Sequence, residues 1–543
     1  MKKKIALLDC TLRDGAYING SRFGTSAIKG IIKKLQEART DIIEVGWLKD
    51  AAHEEGSTYY HLPQDAAPYM VDRQDGIEYV AMIDWDRYDV DNLPPCDGKS
   101  INAVRVVFPH GKHREGIAVA ERVREKGYRI FLQAANTLAY SEADLKDLAQ
   151  YINACRPVAI SVVDTFGAMF EEDLARIVRT LDATLDPAIA MGFHSHNNQQ
   201  LSFALTMHFV ELLAESERSA IVDASLCGMG RGAGNATTEL VASYLDRKQN
   251  GNYDMDAILD AIDTYMEPFR EAYTWGYSTP YFVAGMYQCH VNNIAYLQRN
   301  HRTNARDMRN IIASLSQAER RKYDYDLLER RYLENQSRLV DDEAAVRALR
   351  QEFAGRTVLL VAPGRSVIDK RERVHAFIKK EQPVVIGVNA ICDGYAYDYL
   401  FFVNSARYDY AKNAHGKTFA ETKKILLSSI KTEGTEGELI LNFNRAIKRG
   451  WPHFDNAVIS ALRLLNSIGA KKVVIAGFDG FRHAYNESYA DPSLPTLNPD
   501  NRWDELNVEI SAIFEDVLSS TRGSMEISFV TESLFDIDGR RAM

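Results

Sequence analysis

Eight short runs rich in apolar and β-branched residues recur at intervals through residues 5–226. They are IALLDC (5–10), DIIEVG (41–46), EYVAMI (78–83), AVRVVF (103–108), RIFLQA (129–134), AISVVD (159–164), AMGFHSH (190–196) and IVDASL (221–226). Strands that are apolar almost throughout are buried on both faces, which is the signature of a parallel sheet. Parallel strands need crossovers, and between most of these runs lies enough chain for a helix. TSAIKGIIKKLQEA (25–38) and EEDLARIVRTLDATL (171–185) both carry apolar residues at helical spacing. Eight such units within about 250 residues match the size of a (β/α)₈ TIM barrel. A doubly wound open sheet is the alternative. The polar residues favour the barrel, because they cluster at the C-terminal ends of the strands, where a barrel places its chemistry.

The alternation stops near residue 250 and restarts at 357. The segment between is helical and highly charged, as in SQAERRKYDYDLLERRYLENQSRLVDDEAAVRALRQEF, and reads as a solvated connector or packing layer. From 357, TVLLVAPGRSV, PVVIGVN, YLFFVN, KILLSS, LILNFN, KKVVIAGFDG and ISFVTES form a fresh series of strands. The expected organisation is a TIM barrel over 1–290, a charged helical connector over 291–352 and a Rossmann-like α/β domain over 353–543.

Composition narrows the function. There are 65 basic and 75 acidic residues, a formal charge of −10, which argues against a general nucleic-acid binder. The six cysteines form no CxxC pair, which fits free thiols in a reducing compartment. The start, MKKKIALLDCTLRDG, lacks the apolar core of a signal peptide, and no run is long enough to span a bilayer. A cytoplasmic protein is expected.

Strand one ends in Asp9 and leads to Arg13 and Asp14, and strand two carries Glu44. Strand six ends in Asp164 and Thr165, strand seven in His194 and His196, and strand eight holds Asp223 before the glycine-rich loop GMGRGAGN. Two histidines two apart on a strand share a face. With one carboxylate, for which Asp14 is the natural candidate, they make a facial metal set with open positions for substrate. Taken alone, the HxH pair reads equally well as two hydrogen-bonded core histidines.

The motifs DCTLRDG (9–15), EVG (44–46), GFHSHNN (192–198) and VDASLCGMGRGAGNA (222–236) together resemble the DRE-TIM metallolyase superfamily, within it the 4-hydroxy-2-oxovalerate aldolases. HMG-CoA lyase and isopropylmalate synthase are more distant relatives. The resemblance spans roughly residues 5 to 300. It implies a carbon–carbon lyase acting on a 2-oxo acid such as pyruvate and an aldehyde, through an enolate stabilised by a divalent cation. Manganese is the first expectation for that cation, with magnesium and zinc as alternatives. Asp14, His194 and His196 would bind it, and Arg13 would stabilise the enolate oxygen. Thr165 would hold the substrate carboxylate. Glu44 and Asp9 would orient the arginine and the ligands. Asn235 would join the metal shell as in the lyases, or shape its loop as in the aldolases. Relatives often dimerise, so a homo-oligomer is expected.

This chain departs from the pattern at one position. The aldolases carry RDGxH, and here the histidine is Tyr17, whose unperturbed pKa near 10 makes it a weak base. Tyr287, in AGMYQ, matches another tyrosine near the family site, or is an aromatic packed at a helix interface. The glutamate–glutamine pair of the synthases is absent, which argues against acetyl-CoA condensation. His53, His110 and His113 read as surface histidines.

In the second domain VLLVAPGRSV reads as strand, tight turn and helix start, a geometry that offers N–H groups to phosphate. With VVIGVNA and VVIAGFDGF it resembles the DUF115 and bacterial sialyltransferase-like group, whose members often act on surface glycans. That resemblance implies nucleotide-sugar binding at Gly364, Ser366, Asn389 and Asp479, and hence a bifunctional enzyme linked to glycan biosynthesis. A non-catalytic scaffold is the alternative.

Overall fold

In a computed structural model the described residues are 5–214, 216–301, 303–432, 437–482, 487–496 and 502–536. All eight runs of the N-terminal half form strands: β1 Ile5–Asp9, β2 Ile42–Leu48, β3 Glu78–Asp84, β4 Ala103–Phe108, β5 Arg129–Ala134, β6 Ala159–Asp164, β7 Ala190–Ser195 and β8 Ala220–Ala224. Each pairs in parallel with its sequence neighbour. β1 pairs with β2 at Leu8 and Asp9 and with β8 along its whole length, so the sheet closes. This is the TIM barrel. A bulge in β2 between Glu44 and Gly46 admits the short strand Tyr59–Tyr60 alongside it.

Helices cover the outside: α1 Thr25–Glu37, α2 His113–Glu125, α3 Glu142–Cys155, α4 Glu171–Asp182, α5 Ser202–Leu212 and α6 Thr238–Gln249. Their apolar faces, such as Leu174, Ile177, Val178 and Leu181 of α4, are buried against the strands. The crossover from β2 to β3 holds only the helical turns Pro63–Ala66 and Ala67–Tyr69, and that from β3 to β4 only Val90–Asn92. Residues 5–291 and 320–322 belong to this unit.

Residues 292–319 and 323–536 belong to the second unit. Its strands are β9 Thr357–Val361, β10 Val384–Val388, β11 Tyr399–Phe402, β12 Lys423–Leu427, β13 Glu438–Leu441, β14 Lys472–Ala476 and β15 Glu526–Phe529. All pair in parallel, in the order β13-β12-β11-β10-β9-β14-β15. The first strand lies inside the sheet, so the winding reverses between β9 and β14. Helices α7 Ser405–Ala414, α8 Ala457–Ser467 and α9 Trp503–Thr521 pack with it. The charged helices Tyr325–Gln336 and Glu343–Phe353 bury Leu328, Tyr332, Val346, Leu349 and Phe353 in this unit.

Close approach of two strand ends makes one glycine obligatory here. Gly477, after β14, has φ +74°, and a Cβ there would lie 2.2 Å from the Ala362 carbonyl oxygen. The Gly477→Ala variant is expected to lose about 1–3 kcal/mol of stability. Urea denaturation of the full chain, followed by circular dichroism, measures it. An unchanged midpoint would mean that the turn is not strained by a side chain.

Candidate metal centre

The site begins at the C-terminal end of β1. Asp9 Oδ1 accepts from the Thr11 N–H at 2.9 Å, and its Oδ2 accepts from Thr238 Oγ1 at 2.6 Å. These bonds fix the helical turn Thr11–Asp14 and tie it to α6. Asp9 therefore shapes the turn that carries Arg13 and Asp14; its own hydrogen bonds are not to the arginine or the metal-ligand candidates. Asp164, at the end of β6, accepts from the Ala168 and Met169 N–H groups and shapes the loop that follows. Burial pushes both carboxyls up to about 6, against the hydrogen bonds they accept.

Arg13 is buried and binds two carboxylates. Its Nε donates to Glu44 Oε2 at 2.8 Å, and its Nη1 to Asp14 Oδ1 at 2.5 Å. The network continues inside the barrel. Arg105 Nη1 donates to the same Glu44 oxygen at 2.9 Å and Nη2 to Asp223 Oδ2 at 2.5 Å, and that oxygen lies 3.1 Å from His194 Nδ1. All these groups are almost fully buried. Glu44 lies under Arg13 and is shared by two guanidiniums.

Asp14, His194 and His196 come together, each buried, with one candidate ligand atom apiece within 4.8 Å of the others. Among the described residues they are the one His, Cys, Asp and Glu group with that geometry. Asp14 Oδ2 is 3.8 Å from His196 Nδ1 and accepts from Asn235 Nδ2 at 2.7 Å. Burial opposes ionisation of Asp14, but Arg13 and then His196 and His194 outweigh it and hold the carboxyl well below its ordinary range. Burial also lowers His196 to about 4, against the pull of Asp14, so its ring is neutral at pH 7. A neutral imidazole and an ionised carboxylate are the states that ligate metal.

Two further features fit a cation. His196 Nδ1 and Asn235 Oδ1 are buried without a hydrogen-bond partner. The network also sets three carboxylates, Asp14, Glu44 and Asp223, against two guanidiniums, leaving one negative charge in excess. The glycine-rich loop closes over this cluster because Gly230 has no side chain. A Cβ there would lie 2.2 Å from Asn235 Nδ2 and 2.5 Å from Asp14 Oδ2.

Around this cluster stand Arg231 and His290, to which the motifs gave no role, and several residues to which they did. Arg231 lies with its guanidinium 4.9 Å from the centre of the Tyr17 ring and 2.9 Å from His290 Nε2, and its backbone N–H reaches Asp14 Oδ2 at 3.4 Å. Tyr17 is 42% exposed and packs edge-on against Trp47. Desolvation raises its phenol above the ordinary value despite Arg231, so it is a donor at neutral pH rather than a base. Thr165 Oγ1 accepts from the Asn136 N–H at 2.7 Å. Tyr287 packs with its ring 4.9 Å from the Arg320 guanidinium and is not part of the buried cluster. His53 bonds to Tyr59 and Tyr69, His110 to Asp144 and His113 to Asp147. Arg105 was detectable only as a charge in the middle of an apolar strand. Arg231 and His290 gave no spacing signal.

In the second unit the turn after β9 is already satisfied from within. The Gly364 N–H donates to the Gly477 carbonyl at 2.9 Å and the Arg365 N–H to the Ser488 carbonyl at 3.3 Å. The Ser366 N–H donates to Asp479 Oδ2 at 2.7 Å. These donors, expected to face phosphate, are held by the protein itself. Gly364 is needed because a Cβ would meet Gly477 and Asp479. Asn389 takes φ +54°, and its Oδ1 accepts from the Val403 N–H at 3.0 Å.

Residues 111–264 match the HMGL-like family model. A 4-hydroxy-2-oxovalerate aldolase of Roseiflexus sp. (strain RS-1) is 27% identical over 307 residues, covering 51% of this chain and 82% of the relative. An oxaloacetate decarboxylase of Mycobacterium tuberculosis is 27% identical over 267 residues, covering 48% of this chain and 76% of the relative. Among solved structures, the HMG-CoA lyase of Bacillus subtilis aligns with a TM-score of 0.40 and 17% identity, over 49% of this chain and 94% of its own. No helix of the described residues is long and apolar enough to cross a membrane.

Removing one partner of a buried ion pair leaves an uncompensated charge, which costs about 3–5 kcal/mol. The Arg105→Ala variant takes the guanidinium partner from Asp223 and leaves Glu44 to Arg13 alone, and is expected to be destabilised by about that amount in urea denaturation. A loss below about 1 kcal/mol would show that the network does not carry the barrel's interior.

Proposed function

We propose that the N-terminal barrel, whose residues 111–264 match the HMGL-like model, is a metal-dependent aldolase acting beside the keto group of a 2-oxo acid such as pyruvate. The observation that carries this reading is the buried Asp14, His194 and His196 cluster with Arg13 bonded to Asp14. Asp14, His194 and His196 would hold a divalent cation, manganese foremost, which would supply Lewis-acid polarisation of the acid.

The protein's own groups supply the rest. Breaking or making a carbon–carbon bond next to a ketone places negative charge on the ketone oxygen. Arg13 is permanently charged, desolvated and fixed by Glu44, so it opposes that charge without reorganising. Asn235 and Arg13 orient the two oxygens of Asp14. Thr165 is assigned to the acid's carboxylate on the strength of the motif it follows. Tyr17, protonated and at the edge of the site, donates to the oxygen of the aldehyde partner. The related oxaloacetate decarboxylase suggests that loss of carbon dioxide from a 2-oxo diacid would use the same Arg13.

Deuterium exchange at the methyl group of pyruvate, followed by NMR, tests this reading. Exchange is expected in the metal-loaded protein and is lost on chelation. Exchange that survives chelation but stops on borohydride treatment would assign a lysine Schiff base instead. The Arg13→Lys variant should stay folded and metal-loaded while exchanging about 10²–10³ more slowly. Full activity in that variant would remove the role given to the guanidinium.

A further inference from the structure

Two charged residues at the mouth of the barrel, Asp84 and Lys49, have no part in the chemistry described so far. Asp84 is the last residue of β3. On that strand Val80 packs in the barrel's interior with Ile42 and Phe131. Met82 is in register with Arg105, whose guanidinium crosses the interior to Glu44 and Asp223. Side chains alternate along a strand, so Asp84 shares this inward face, one layer nearer the rim. Lys49 follows β2. Its ammonium lies 3.5 Å from the centre of the Tyr59 ring and 5.7 Å from that of Trp47. The same Trp47 ring has the Arg13 guanidinium 5.8 Å from its centre and the Tyr17 ring edge-on at 6.1 Å. Lys49 therefore stands one indole away from the residues assigned to the reaction.

The ring faces hold the ammonium without neutralising it. Among the described residues the Lys49 ammonium forms no ion pair or hydrogen bond, and the Asp84 carboxylate accepts no hydrogen bond. Both residues are half-buried. Burial raises the Asp84 carboxyl above its ordinary range, against Arg87 and Lys49, and lowers the Lys49 ammonium, against Asp84. Each charge feels the other, yet the two do not meet. A group lying between them is stabilised only if it both donates and accepts. A hydroxyl does both. An alkyl chain would dry both charges and pair neither, and an anion would gain Lys49 only by facing Asp84.

We propose that the aldehyde partner is a hydroxyaldehyde of the aldose type, whose chain hydroxyls donate to Asp84 and accept from Lys49. This rests on the aldolase reading and adds the class of its second substrate. In the bond-forming direction pyruvate loses a methyl proton, that carbon bonds to the aldehyde carbon, and the aldehyde oxygen takes up a proton. The product is a 2-oxo acid with a hydroxyl on the new carbinol carbon and others beyond it.

The test uses the metal-loaded full chain with pyruvate and, in separate reactions, glyceraldehyde, erythrose, butyraldehyde and glyoxylate, the new 2-oxo acid being measured by mass spectrometry. A site built to bond hydroxyls rejects a substrate that lacks them, so kcat/KM for glyceraldehyde or erythrose should exceed that for butyraldehyde and for glyoxylate by at least about tenfold. Asp84→Leu and Lys49→Met should each cut that ratio by at least about tenfold. A ratio taken within one preparation is insensitive to loss of folded protein, and should one variant not fold, the other decides. Deuterium exchange at the methyl group of pyruvate, run alongside on the unmutated chain, separates the two readings. Without metal-dependent exchange the aldolase reading falls and this proposal falls with it. Exchange without turnover of either hydroxyaldehyde, a preference for butyraldehyde or glyoxylate, or a ratio unchanged in a folded variant would overturn this proposal alone.

Discussion

The barrel is organised by one buried chain of charge, running from Asp14 through Arg13, Glu44, Arg105 and Asp223 to His194. Charges removed from water are costly, and this network is tolerated because each ion meets an opposite partner. Its geometry does more than neutralise. Glu44 pins Arg13 from below, which aims the guanidinium at Asp14, and Asp223 holds His194 from behind. A candidate ligand carboxylate and a candidate ligand imidazole are thus attached to opposite ends of one scaffold. Carboxylates behind metal-binding histidines commonly fix ring orientation in this way.

The remaining residues close this frame. Asp9 accepts from the Thr11 N–H and the Thr238 hydroxyl and Asp164 from two backbone N–H groups, and both shape loops. Gly230 lets the loop after β8 descend until Asn235 bonds Asp14. The outer edge, with Tyr17 and Arg231, is more open and more polar.

Much of this was legible in the sequence because it is written at short range. Strands apolar throughout gave the parallel barrel, and the HxH pair on β7 gave a shared face. The chain's alternation after 357 gave the second sheet, although its strand order could not be read, since nothing local says that β14 returns beside β9. The pairings across the lumen were equally hidden. Arg105 and Asp223 are 118 residues apart, and Arg231 and His290 are 59 apart. The Gly364 turn shows the same limit. Its N–H groups look free in sequence, but Gly477, Asp479 and Ser488, all distant in the chain, already accept from them. Local patterns reveal which groups are present; the fold decides which are already used.

The central claim is that the buried network presents a metal-binding face made by Asp14, His194 and His196. Crystals soaked in manganese and measured at its absorption edge test it most directly. The account predicts an anomalous peak bounded by an Asp14 oxygen and one ring nitrogen from each histidine. A peak elsewhere with none at this cluster, or no peak in crystals that remain ordered, would contradict it.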